Sequence, residues 1–85
     1  MSDMGLSKDV IYDRICQLIE PFNKKSVPLT PQTTFANDLD FDSLTVMDLV
    51  AAIEDEFDIV LPLNMLPDLE TIQQVTDAVE KIIKG

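Results

Sequence analysis

Ser43 is the residue whose type and setting raise a chemical question, because it separates an acidic cluster from a run of apolar and acidic residues. A serine becomes a nucleophile when a neighbouring base removes its proton. The chain has no histidine, and no lysine or arginine lies between Ser26 and Glu80, so only carboxylates stand near Ser43 in the sequence. We therefore expect no hydrolase chemistry here and no catalytic residue in the chain.

The acidic residues before Ser43 have the spacing D-x-D-x-D that opens a calcium-binding loop. When Asp38 is counted as the first loop position, Ser43 falls where the sharp-turn glycine belongs and Leu49 where the bidentate glutamate belongs. This mismatch argues against a specific calcium site. One cysteine and no histidine also leave no Cys/His zinc site, so we expect no bound metal.

Ser43 can also serve the fold alone. In this interpretation Asp42 is the N-cap of a helix, Ser43 occupies its cap or first turn, and Phe41 packs against Val46 as a hydrophobic staple. Periodicity and charge favour this structural role, and by themselves they lead no further.

The first predicted helix begins at Ser7, whose hydroxyl can cap it, and ends at Pro21. Leu6 and Ile11 have the spacing of a hydrophobic staple. One side of this helix is apolar and comprises Ile11, Tyr12, Ile15, Leu18 and Ile19. Cys16 falls at the edge of that side, where we expect a small, half-buried hydrophobic residue without a redox role.

Two further main helices and one short turn of helix follow the acidic cluster. The second helix begins at Asp42 or Ser43 and runs to about Phe57, and a short turn of helix near residues 63–66 is stopped by Pro67.

Thr71 and Gln74 match a capping box that opens a last helix, which continues until Gly85. A long connection over residues 21–42 has Phe35 and Leu39 available to hold it down. No convincing strand pattern is present. The prediction is an all-α fold, a small four-helix bundle of three main helices and one short helix with a long loop between helices one and two, in a single domain over residues 1–85.

The second helix has an apolar core face and a polar face that also carries large apolar residues. Its core face comprises Val46, Leu49, Val50, Ile53 and Phe57. The opposite side interleaves Leu44, Met47 and Ala51 with Asp48, Glu54 and Asp55. An apolar stripe with acidic neighbours fits a groove ringed by Lys and Arg on a partner, and ordinary surface exposure is the alternative.

The net charge of −10 disfavours binding to nucleic acid or to anionic membranes and favours partners with basic patches, although acidity for solubility alone explains the composition equally well. The lone Cys16 suits a reducing cytoplasm, and the first residues have neither the pattern of a signal peptide nor that of a membrane span. We expect a cytoplasmic monomer.

The stretch 42-DSLTVMDLVAAIEDEFDIVLP-62 resembles the phosphopantetheine attachment region of acyl carrier proteins, in which D-S-L opens the second helix of a small acidic bundle. The resemblance extends to 32-QTTFANDL-39 and 70-ETIQQVTDAVEKI-82. It implies that Ser43 carries a covalent 4′-phosphopantetheine, transferred from coenzyme A by a phosphopantetheinyl transferase. The chain would then carry acyl groups as thioesters to biosynthetic enzymes of lipid or secondary-metabolite pathways.

The resemblance also implies a partner-binding surface, made of Asp42, Leu44, Met47, Asp48, Ala51, Glu54 and Asp55. Many fatty-acid carriers have G-A before D-S-L and an acid two residues after the serine, whereas this chain has Asp40-Phe41 and Thr45. These differences favour a specialised carrier over a housekeeping one. A stand-alone peptidyl carrier and an acidic helical adaptor without a prosthetic group are the alternatives.

Overall fold

The computed structural model describes residues 7–84, whose α-helices are α1 (Lys8–Ile19), α2 (Ser43–Phe57) and α3 (Ile72–Lys84). Short 3-10 helices at Glu20–Phe22 and Leu63–Asp68 follow α1 and precede α3. No β-strand occurs within these residues, only an isolated antiparallel bridge between Thr34 and Thr71. The predicted small all-α bundle is therefore confirmed, with the short helix in 3-10 geometry.

The core forms where the apolar faces of the helices meet. From α1, Ile11, Ile15 and Ile19 are completely buried, as their spacing of one residue per turn predicts. The core also contains Leu49 and Ile53 of α2, together with residues of α3 and of the loops. Each fully buried aliphatic side chain contributes about 1.5–3 kcal/mol through removal of its surface from water. No helix in the described part of the chain is long and apolar enough to cross a bilayer.

The long connection before α2 is fastened to the start of α3. The N–H of Phe35 donates to the carbonyl of Glu70 at 3.1 Å, and the N–H of Ile72 donates to the carbonyl of Thr33 at 3.2 Å. Phe35 and Leu39 are buried, which confirms their predicted role as anchors. The path of the chain into Ser43 is thus fixed by contacts with α3.

Of the caps predicted for α1 and α3, the structure confirms one and not the other. The capping box of α3 is confirmed, since Gln74 N–H donates to Thr71 Oγ1 at 3.2 Å and Thr71 N–H donates to Gln74 Oε1 at 2.9 Å. Ser7 occupies the N-cap of α1, but its side chain makes no cap hydrogen bond, so that part of the prediction is wrong. The predicted staple involves Leu6, which lies outside the described residues.

Pro67 does not stop the short helix, contrary to the prediction. The 3-10 helix continues through Pro67 to Asp68. A proline removes only one N–H donor from a helix this short, and the segment closes with a hydrogen bond from Leu69 N–H to the carbonyl of Leu66 at 3.0 Å.

Candidate functional site

Ser43 is the first residue of α2 and is exposed. The cap is supplied by Asp42, whose Oδ1 accepts a hydrogen bond from the Thr45 N–H at 2.8 Å, as predicted. That hydrogen bond is also the main cause that lowers the pKa of Asp42. Within residues 7–84 the Ser43 hydroxyl has no hydrogen-bond partner, so the fold makes no use of it.

The loop that leads to Ser43 is held by its own hydrogen bonds. Thr34 N–H donates to Asp38 Oδ2 at 2.8 Å, and Asp38 N–H donates in return to Thr34 Oγ1 at 3.0 Å. Asp40 then adopts a left-handed backbone with φ of 58°, and Phe41 N–H donates to the Phe35 carbonyl at 2.8 Å. These bonds set the direction in which Ser43 is presented.

Two clefts flank the start of α2. The first, which we call the Ser43 cleft, has a volume of about 470 Å³ and is lined by Ser43, Asp42 and mostly apolar residues of α2, of the loop before it and of the segment before α3. The second, which we call the lysine cleft, has a volume of about 430 Å³ and includes Lys24, Lys25 and Thr45. Both volumes lie in the range of small-molecule sites, and Ser43 itself lines only the first.

The interior behind the Ser43 cleft is closed. A cavity of about 10 Å³ lies there, lined by apolar side chains that include Val46 and Leu66 from the cleft wall. This is room for about one water molecule. The aliphatic side chains of the interior therefore pack as an ordinary core. The space beside Ser43 that could hold an apolar group is the Ser43 cleft, not the interior.

The predicted stripe lies on the outer face of α2. Leu44 is 76% exposed and Met47 46% exposed, with Ala51 also exposed between acidic residues. Asp48 and Asp55 are exposed beside them. The helical wheel therefore placed the apolar part of this surface correctly.

Glu54 departs from the rest of the predicted surface. Its side chain is half-buried and its Oε2 accepts a hydrogen bond from the Leu61 N–H at 2.7 Å. The Ile59 N–H also donates to the Glu54 carbonyl at 3.1 Å, so Glu54 ties the loop after α2 to the helix. Sequence reasoning missed this contact because the seven-residue separation of Glu54 and Leu61 resembles no standard cap or turn.

The sequence and fold around Ser43 are similar to those of known proteins. The family described as "Phosphopantetheine attachment site" matches residues 13–79. An acyl carrier protein of Thermobifida fusca is 32% identical over 79 residues, covering 92% of this chain and 100% of its own length. A mitochondrial acyl carrier protein of Neurospora crassa is 41% identical over 80 residues, covering 92% of this chain, which spans 58% of that relative's length.

A solved structure from Mycobacterium tuberculosis, provisionally assigned as an acyl carrier protein, superposes with a TM-score of 0.75 at 28% identity and covers 81% of this chain and 93% of its own. The match therefore extends from the sequence around Ser43 to the arrangement of the helices. The chain belongs to the acyl carrier protein family, whose members carry a covalent 4′-phosphopantetheine and act as carriers, not as catalysts.

Proposed function

We propose that Ser43 is the attachment point of the 4′-phosphopantetheine arm and that the chain delivers acyl groups to enzymes of lipid or secondary-metabolite synthesis. The observation that supports this most directly is the exposed Ser43 hydroxyl, which is left without a hydrogen bond because Asp42 caps the helix. When bound, the arm supplies a thiol that holds the acyl group as a tethered thioester, which raises its effective concentration at each docked enzyme.

The start of α2 suits an attached phosphodiester. The helix N-terminus favours an anion through its unpaired N–H groups and its dipole, although Asp42 already uses the Thr45 N–H and opposes a second negative charge. Exposure of Ser43 also lets a transferase reach the hydroxyl without unfolding the loop.

Intact-mass measurement tests the attachment. The purified chain is incubated with coenzyme A and a promiscuous phosphopantetheinyl transferase, beside Ser43→Ala and Ser7→Ala. Ser7 is a matched control because it is an exposed serine at the start of α1 with no side-chain cap bond. We expect one phosphopantetheine on the wild type and on Ser7→Ala, and none on Ser43→Ala.

If the wild type gains no mass, even with a transferase from the same host, the result would favour the adaptor interpretation, with Ser43 serving only the start of the helix. A gain that persists in Ser43→Ala would place the arm on another residue.

We also propose that basic partners, including the transferase, dock on the predicted surface of α2. Leu44 and Met47 supply the exposed apolar area and the surrounding carboxylates supply charge complementarity. Met47→Glu should weaken transferase binding, measured as a rise in KM for the carrier. Val60→Glu is the matched control, because Val60 is a similarly exposed apolar residue, 75% exposed, outside α2. Equal KM values for wild type and Met47→Glu would contradict this surface.

A specialised role is proposed from the residues that flank the attachment point. Phe41 is half-buried beside the Ser43 cleft and Thr45 is half-buried in the lysine cleft, where an acid would alter the charge. Thr45→Glu should therefore improve loading by general fatty-acid synthase enzymes, and an unchanged rate would remove this argument. The cytoplasmic location stays a prediction, since three relatives are named as mitochondrial.

A further inference from the structure

Phe41 is the one residue among 7–84 that lines both the Ser43 cleft and the lysine cleft. Its ring stacks on Phe35, with centroids 6.1 Å apart and an interplanar angle of 20°. It also meets Phe22 edge-on, at 6.3 Å and 69°. Both geometries are favourable for aromatic pairs. Because Phe35 lines the Ser43 cleft and Phe22 lines the lysine cleft, Phe41 lies between the two clefts as a partition.

The backbone of Phe41 is held as firmly as its ring. Its N–H donates to the Phe35 carbonyl at 2.8 Å, and the next residue, Asp42, is fixed as the cap of α2. Phe41 therefore cannot swing away without breaking an aromatic contact or the hydrogen bond that shapes the loop. It lies two residues before Ser43, close to the origin of anything attached there.

The two sides of this partition differ in chemistry. Most of the residues that line the Ser43 cleft are apolar, including Val46, Met47, Leu66 and Leu69, and its two charged residues are Asp42 and Glu70. The lysine cleft has four charged residues among its eight lining residues, namely Lys24, Lys25, Asp40 and Asp48. An aliphatic group gains free energy by covering apolar walls, whereas covering charged groups removes their hydration.

We propose that Phe41 determines where the carried group lies, by confining an arm-linked aliphatic acyl group to the Ser43 cleft and closing the lysine cleft to it. The inference rests on the proposed attachment at Ser43. Phe41 acts here as a specificity-determining wall: removing its ring joins the two clefts and gives the group a second place to lie.

Backbone amide chemical shifts test this wall. Isotope-labelled wild type, Phe41→Ala, Phe41→Leu and Phe22→Ala are converted to the phosphopantetheine form and to the octanoyl form, and the two spectra of each protein are compared. In the wild type we expect octanoyl-dependent shifts at Leu66 and Leu69 and none at Lys24 and Lys25. In Phe41→Ala we expect shifts at the two lysines as well.

Phe41→Leu also lacks the ring but keeps apolar bulk in the loop, so it should show the lysine shifts more weakly than Phe41→Ala, and it tests the wall if Phe41→Ala does not fold. Phe22→Ala removes the other ring contact but leaves the wall, so its lysine amides should stay unmoved by the acyl group. Lysine shifts in the wild type, or identical patterns in the wild type and in a folded Phe41→Ala, would overturn the role of Phe41. Absence of any mass gain would instead overturn the attachment site, and the inference with it.

Discussion

At the scale of single residues, Asp40 shows how backbone geometry limits the approach to Ser43. Its φ of 58° lies in the left-handed region, which costs most side chains roughly 1–2 kcal/mol, while aspartate and asparagine tolerate it better and glycine adopts it freely. Many fatty-acid carriers have glycine at the position of Asp40. The structure supplies the physical reason for that glycine.

Replacing Asp40 tests the strain. Asp40→Ala should lower the free energy of unfolding by about 1 kcal/mol, while Asp40→Gly should lower it less. Urea unfolding measures both. Asp40→Asn controls for the loss of the ion pair with Lys25. The two charged groups of this pair are exposed and 3.7 Å apart, so the pair contributes little to stability. An alanine variant as stable as the glycine variant would contradict the strain argument.

Tyr12 gives a second prediction, because it is the only tyrosine and its phenolate absorbance reports on that residue alone. Burial, and then a hydrogen bond with Cys16, raise the pKa of Tyr12 to about 12. The neutral phenol is favoured in the folded state, so this contribution to stability is present below the unfolded pKa of 10.0 and is lost as the pH rises towards 12.

Absorbance titration should therefore show ionisation of Tyr12 near pH 12, with helical circular dichroism recorded in parallel. Cys16→Ala should lower the midpoint by less than unfolding does, since burial is the larger cause. A midpoint near 10 in a chain that is still helical would contradict the effect of burial.

At the scale of elements, the capping box lies at the point where α3 is hydrogen-bonded to the loop that leads to Ser43. Gln74 Oε1 accepts from the N–H groups of both Glu70 and Thr71, at 2.8 and 2.9 Å. Thr71→Ala removes the acceptor for Gln74 N–H and should destabilise the chain by about 1 kcal/mol, measured by thermal unfolding. Gln73→Ala is the control, because the Gln73 side chain is exposed and outside the box; equal losses in both would argue against the cap.

Helices were predictable from the sequence where a local pattern of apolar spacing or capping residues marks them. Apolar spacing and caps located α2 and α3, because these signals act within one or two helical turns. The course through Pro67 and the hydrogen bond from Leu61 N–H to Glu54 were not predictable, since both depend on where the loop after α2 lies in space.

The candidate site divides in the same way. Ser43 and the exposed stripe of α2 followed from sequence, as did the Asp42 cap. The partition made by Phe41 did not, because its two aromatic partners are 19 residues and 6 residues away along the chain and meet it only through the folded loop, as the numbering of Phe22, Phe35 and Phe41 shows.

At the scale of the whole molecule, the acidic surface opposes folding, while it would favour the proposed docking of basic partners. The net charge is −10, and no lysine or arginine lies between Ser26 and Glu80, so the carboxylates of α2 have no basic neighbour in the sequence. Like charges on a small surface repel one another, and the repulsion is released when the chain expands. The same field attracts a basic partner over distances of about one Debye length.

Salt should therefore act in opposite directions on the two processes. Between about 10 mM and about 150 mM NaCl the Debye length falls from roughly 30 Å to roughly 8 Å. The melting temperature should therefore rise, and the Kd for a basic docking partner should also rise because its affinity falls. Asp55→Asn removes one exposed charge of the docking surface proposed on α2 and should reduce both salt effects together. If salt stabilised the fold but left the Kd unchanged, the partner would be held by the apolar stripe of Leu44 and Met47 alone, and the carboxylates around it would serve solubility.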